Sequence, residues 1–171
     1  IPKLKLKHGD EYFINIIIRN LKSEGIDEIV CVIRKDDLEW FKGNAVVSDY
    51  IINDNPELGM VSSVKLGVER YKHKEGVLLF PVDHPYVSCN TIKLLIRDFG
   101  KNNNSVIKPY LNDKSGHPLI VPKILFNTIL KNDDLKSLND IIKESQIPTI
   151  QTNVEDKGIL KNINYSDDIN N

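Results

Sequence analysis

Gly76-Val77-Leu78-Leu79-Phe80-Pro81-Val82-Asp83-His84-Pro85 is the stretch that decides the fold. A continuous apolar run of this length reads as a strand buried on both faces, as in a sheet covered by helices on either side. Proline removes a backbone donor and belongs near a strand end, so Pro81 places the end of the strand at about Phe80–Val82. Asp83 then stands just beyond the carboxyl end of a buried strand. Open α/β sheets bind their ligands at that position.

The flanking segments repeat the pattern. From Asp10 to Glu24 the residues Phe13, Ile16, Ile17 and Leu21 recur at helical spacing, with Asp10 as the expected cap and Gly25 as the expected stop. Ile29–Ile33 and Val46–Ile52 read as strands, Val61–Tyr71 and Thr91–Phe99 as helices. Val106–Tyr110 follows as a strand, Lys123–Leu130 and Leu135–Lys143 as helices, and Pro148–Val154 as a late strand. The alternating lysines of Lys3-Leu4-Lys5-Leu6-Lys7 suggest an edge or solvated strand. Helices alternating with short apolar runs predict a single α/β domain over residues 1–171, with a mostly parallel sheet between two helical layers.

Composition agrees with a folded domain. Of the 171 residues 40% are hydrophobic and 27% charged, and the formal net charge is -1. Lysines are scattered among acids rather than gathered on one face, which argues against a nucleic-acid partner. No apolar run approaches the roughly 20 residues that cross a bilayer. Cys31 and Cys89 form no C-x-x-C pair, so they read as buried free thiols in a reducing cytoplasm.

Four segments can carry chemistry. Asp83 can cap the next helix, ligate a hard cation such as magnesium, or serve as the phosphoacceptor of a receiver-type domain. Asn53–Ser63 leaves a strand and opens a helix: Gly59 permits a tight turn, and Ser62 and Ser63 sit in a first helical turn whose free N–H groups attract anions. The same segment also reads as an ordinary capped loop. Gly116-His117-Pro118 allows close backbone approach and offers a titrating ring, which solvent alone would also satisfy. Lys3 is a point charge suited to phosphate. The phosphate loop G-x-x-x-x-G-K-[ST], the dinucleotide motif G-x-G-x-x-G, the G-x-S-x-G elbow and paired-histidine zinc spacing are all missing from the sequence.

In this order the segments resemble the MobA/MocA-like nucleotidyltransferases, the molybdenum cofactor guanylyl- and cytidylyltransferases. Ile1-Pro2-Lys3-Leu4 is similar to the last step of that family's phosphate loop. Asn55-Pro56 with Gly59-Met60-Val61-Ser62-Ser63-Val64-Lys65-Leu66-Gly67 is similar to its N-P…G-M-x-S-S-L-x-x-G segment, and Pro81–Val87 to its G-D-M-P-x-V turn. Gly116-His117-Pro118-Leu119 is similar to a G-H-P that precedes a helix. Asp156–Leu160 and Asn162–Asp168 are similar to D-x-G-I-L and D-I-D-T-P-E-D.

The resemblance implies a Rossmann-like three-layer α/β/α nucleotidyltransferase fold and a reaction. CTP or GTP would give its nucleotidyl group to a phosphorylated acceptor such as a molybdopterin-type cofactor, with Mg2+ bridging the phosphates and pyrophosphate leaving. Carried over by position, Lys3 would contact phosphate and Asp83 would bind magnesium. Asn164 would be the second metal-side residue. Gly59, Ser62 and Ser63 would line the nucleotide side, and Gly116 and His117 the acceptor side. Three departures stand out. The family's opening strand and glycine-rich loop are absent from the sequence given, which reads as a fragment. Asn162-Ile163-Asn164 replaces D-I-D. His84 replaces the usual Met, and Tyr165-Ser166 replaces Thr-Pro. Rival readings are a non-catalytic nucleotide- or partner-binding module of the same fold, and a transferase acting on a sugar or alditol phosphate.

Overall fold

The structure is a computed structural model and describes residues 2–163. Fifteen regular elements follow one another. A small hairpin pairs β1 (Lys7–His8) with β2 (Glu11–Tyr12), ahead of α1 (Phe13–Ser23). Then come β3 (Cys31–Arg34), α2 (Leu38–Asn44), β4 (Tyr50–Asn53) and α3 (Met60–Arg70). The second half holds β5 (Gly76–Leu79), α4 (Cys89–Lys101), β6 (Val106–Leu111), β7 (Lys114–Ser115) and β8 (Leu119–Pro122). It closes with α5 (Phe126–Leu130), α6 (Leu138–Ser145) and β9 (Thr149–Asn153).

Strand directions follow from the pairings. β3 and β4 are parallel, with Ile33 beside Ile52. β6 and β9 are parallel, with Ile107 beside Ile150. β8 runs antiparallel to both β5 and β6, placing Leu78 and Ile107 on either side of Ile120. Consequently β5, β6 and β9 point the same way, with β8 reversed between β5 and β6. The expected α/β class and covered sheet are present.

Side-chain alternation on these strands builds two cores, because successive residues of a strand face opposite ways. Val77, Leu79, Val106, Leu119 and Val121 face α3, α5 and α6 through Val64, Val68, Phe126, Ile129 and Ile141. Leu78 faces the other way, toward α1 and α4, where Ile17, Leu21 and Ile92 meet it. Leu95, Ile107 and Ile120 continue that second core. Ile14 and Ile18 of α1 pack on Phe41 of α2 and Ile33 of β3. The result is three layers.

Several local expectations are corrected. Lys3–Lys5 is a 3-10 turn rather than a strand: Lys5 reaches Asp37 at 3.0 Å and Leu6 is buried, so the alternation of lysines did not mark a pleat. Tyr12, not Asp10, precedes α1, and no side chain caps that helix. Gly116-His117-Pro118-Leu119, expected to precede a helix, leads instead into β8, all four of whose residues are buried. α2 was not anticipated. No described helix is long and apolar enough to cross a membrane.

β3 and β5 both line one apolar cleft of about 960 Å³. Among the described residues no strand ladder joins the β3–β4 pair to the five-stranded sheet. Cys31 lies on this cleft, and burial, reinforced by the Asp49 charge, pushes its thiol up to about 12. The thiolate is the nucleophile, so iodoacetamide at about pH 8 is expected to modify Cys89 well before Cys31. Peptide mapping by mass spectrometry checks the order. Equal rates would mean that the Cys31 thiol is solvated.

Candidate functional site

β5 delivers the centre of the site. After Leu79 the chain turns through Pro81 and Val82, and Asp83 arrives 5% exposed. A carboxylate this buried needs partners. Lys3 Nζ stands 2.6 Å from Asp83 Oδ2. Asp83 Oδ1 is buried and has no hydrogen-bond partner among the described residues. Leaving a buried polar atom unmatched costs about 1–3 kcal/mol, more for a charged group. Such an orphan oxygen is what a hard cation takes as a ligand, so the residues present fit a divalent metal here. Asp83 does not cap the next helix; Ser88 does, accepting from the Thr91 N–H at 3.2 Å.

Two histidines flank this carboxylate. His84, 4% exposed, sets Nδ1 3.4 Å from the Gly158 carbonyl oxygen. His117 stacks obliquely on it, with ring centroids 5.0 Å apart. Burial holds both imidazoles below their ordinary range, against the opposing pull of the Asp83 charge. His117 is further lowered by His84. His117 donates its backbone N–H to the Ile159 carbonyl at 3.0 Å. Gly116 lies against that same carbonyl, where an added Cβ would sit 2.7 Å from its carbon.

Asp156-Lys157-Gly158-Ile159 supports the histidines from behind. The Asp156 carboxylate accepts from the Ser88 N–H at 2.8 Å, the Thr91 hydroxyl at 2.6 Å and the Gly158 N–H at 2.8 Å. This ties the loop to the start of α4. Ile159 is fully buried, and the Ile163 N–H donates to the Asp83 carbonyl at 2.9 Å. Asn164 itself lies outside the described residues.

The β4–α3 turn forms the other wall. Gly59 has φ of 82°, the left-handed region that glycine enters without strain. Asn53, buried at the end of β4, donates to Ser62 Oγ at 2.8 Å and Ser63 Oγ at 3.0 Å. Ser62 spends its own hydrogen on the Gly59 carbonyl at 2.7 Å. Its hydroxyl therefore works inside the turn, whereas Ser63 lines both clefts. A smaller cleft of about 530 Å³ is lined by Lys3, Arg34, Asn53, Gly59, Met60 and Ser63. Lys3, Ser63, Asp83 and His117 all border the larger one. Lys3, Asp83 and His117 are thus drawn together with Ser63 and Gly59, while Ser62 is turned away and Gly116 acts through its backbone.

Asn53, Asp156 and Gly158 were missed as site residues. Asparagine at the end of a buried strand was one available signal, because a buried amide must find partners. The D-x-G spacing was the other: a carboxylate bonding the N–H two residues on is a turn device.

Residues 2–150 match the family model of the MobA-like NTP transferase domain. No curated protein matches the sequence. Rv0371c from Mycobacterium tuberculosis H37Rv has a similar structure, with 18% identity and TM-score 0.82 over 99% of this chain and 87% of that one. Rv0371c is also known in complex with manganese. The 4-diphosphocytidyl-2C-methyl-D-erythritol synthase of Anaerococcus prevotii has 17% identity and TM-score 0.79, over 97% and 89%. Molybdopterin-guanine dinucleotide biosynthesis protein A of Archaeoglobus fulgidus has 14% identity and TM-score 0.71, over 99% and 88%. At these identities the likeness is one of fold.

Proposed function

The chain belongs to the MobA-like NTP transferase family and is a nucleotidyltransferase, and from that premise we propose that it passes CMP or GMP from an NTP to a phosphorylated acceptor, with release of pyrophosphate. The observation that carries this reading is the Asp83 carboxylate, with one oxygen on Lys3 and the other buried without a partner among the described residues. Asp83 would hold a divalent cation, magnesium in the first instance, together with Asn164. That ion, when bound, neutralises phosphate charge as the bond to pyrophosphate breaks.

This chain's residues then have distinct tasks. Lys3, 42% exposed at its side chain, swings between Asp83 and an incoming phosphate, a role that suits a flexible ammonium. Gly59 and Ser63 border the nucleotide, with Ser62 and Asn53 holding their turn. Gly116 and His117 border the acceptor. The apolar cleft between β3 and β5 has two strand edges unpaired among the described residues and room for a further strand, within one domain over residues 1–171. Unpaired Cys31 and Cys89 support a reducing cytoplasm.

We take a molybdopterin-type phosphate as the first acceptor. An alditol phosphate is the second, favoured by the similarity to the erythritol-cytidylyl synthase fold. Calorimetric titration with CTP and GTP, with and without Mg2+, on this chain and on Asp83→Asn, tests the donor side. One nucleotide is expected to bind only with the metal, and about tenfold or more weakly in the variant. Binding of neither, or binding indifferent to metal and to Asp83, would overturn the reading.

A further inference from the structure

His84 is not accounted for by the reading above. The Gly158 carbonyl oxygen can only accept, so His84 Nδ1 carries the hydrogen of the neutral ring. Nε2 then presents its lone pair. It lies 3.8 Å from Asp83 Oδ1, too far for a hydrogen bond. Oδ1 is the buried side-chain atom left without a partner among the described residues. Two electron-pair donors thus face one another with no proton between them. One divalent ion placed between them would satisfy both lone pairs.

The far side of the ring is fixed as a metal-binding imidazole requires. Histidines that ligate metals hand their other N–H to a carbonyl or carboxylate, which sets the tautomer and the ring plane. Here that acceptor is Gly158, whose own N–H is held by Asp156. Asp156 is in turn gripped by Ser88 and Thr91 of the α4 start. Lys3 occupies the other carboxylate oxygen, Oδ2, so Oδ1 is the oxygen free to ligate.

We propose that His84 Nε2 is a further protein ligand, beside Asp83 and Asn164, of the same cation, and that it turns the site toward Mn2+ over Mg2+. This rests on the metal reading of Asp83. Among the described residues no cluster of three or more His, Cys, Asp or Glu side chains is arranged to hold a metal. With Asn164, phosphate oxygens and water would then complete the coordination. An all-oxygen set suits magnesium, whereas an imidazole nitrogen shifts the preference toward first-row transition ions.

Pulsed electron paramagnetic resonance of the chain with Mn2+ alone, with Mg2+ as competitor, tests the assignment without any turnover. The spectrum is expected to carry an imidazole-nitrogen coupling, and Mn2+ to bind about tenfold or more tightly than Mg2+. His84→Met is expected to lose the coupling and about tenfold or more in Mn2+ affinity. His117→Asn keeps the coupling. Mn2+ that binds through Asp83 without nitrogen coupling, or with a coupling that survives His84→Met, overturns the His84 assignment and leaves Asp83 standing. Mn2+ binding unchanged in Asp83→Asn, or no binding at all, overturns both. Should His84→Met fail to fold, the unmutated spectrum decides alone.

Discussion

Asp83→Asn is expected to cut pyrophosphate release by about 10²–10³-fold or more while the protein stays folded, because it removes charge stabilisation at the reacting phosphates. The amide keeps the shape of the carboxylate, so packing around β5 is preserved. Lys3 loses its partner at 2.6 Å. That pair is half-open to solvent at the lysine end, and such pairs contribute about 0–1 kcal/mol. Against this loss, the variant relieves a buried carboxylate whose Oδ1 has no donor among the described residues. The two effects oppose, so the melting temperature is expected to move by only a few degrees, on the order of 1 kcal/mol of stability. A coupled assay for pyrophosphate and a melting curve on the same preparation separate chemistry from folding. Turnover equal to that of the unmutated protein would remove Asp83 from the metal.

The largest effect on stability is expected from Gly158→Ala. A Cβ at Gly158 would lie 2.8 Å from Val87 N and closer still to the Tyr86 carbonyl. Both are backbone atoms on the turn that follows Asp83, so no side chain can swing aside to make room. Overpacking of this kind costs about 1–3 kcal/mol and occasionally more. With a whole peptide group this close the upper end applies, and a loss of about 3 kcal/mol lowers the melting temperature of a chain this size by roughly 6–12 °C. Gly67→Ala is the control. Gly67 lies inside α3 with nothing within 4 Å of an added Cβ, so alanine there gains about 0.5–1 kcal/mol from helix propensity. Differential scanning calorimetry of both variants is expected to give shifts of opposite sign. A neutral Gly158→Ala would mean that the Asp156–Ile159 loop yields without cost, and could not hold His84 in place.

How much of this was legible in the sequence depended on whether a residue's role is set locally. The run ending at Asp83 was legible because an apolar stretch broken by Pro81 has few structural solutions. Its carboxylate could equally have capped a helix; Ser88, five residues on, decides that matter. β8 was hidden because four consecutive buried residues show no alternation, and a short apolar run cannot be told from the start of a helix. Lys3–Lys7 showed alternation without a neighbouring strand to pair with along Lys3–Lys5. The direction of Ser62 depends on Asn53, nine residues earlier, and the pairing of Lys3 with Asp83 spans 80 residues. Neither leaves a periodic trace. The D-x-G spacing, by contrast, encodes its own turn.

The cleft between β3 and β5 has a mechanical consequence. Hydrogen-bonded ladders are stiff in the plane of a sheet, whereas packed helices slide over one another by small shears. The wall bearing Asn53, Gly59 and Ser63 belongs to the β3–β4 block. Asp83 and His117 belong to the five-stranded block, and among the described residues no ladder bridges the two. Among the described residues their separation is set by α1 and α3 packing across them and by Lys3, which borders both clefts. A further strand seated in the cleft would add a ladder between the blocks and fix the width of the site. A nucleotide whose base rests on one block and whose phosphates rest on the other would brace the same two blocks from the ligand side.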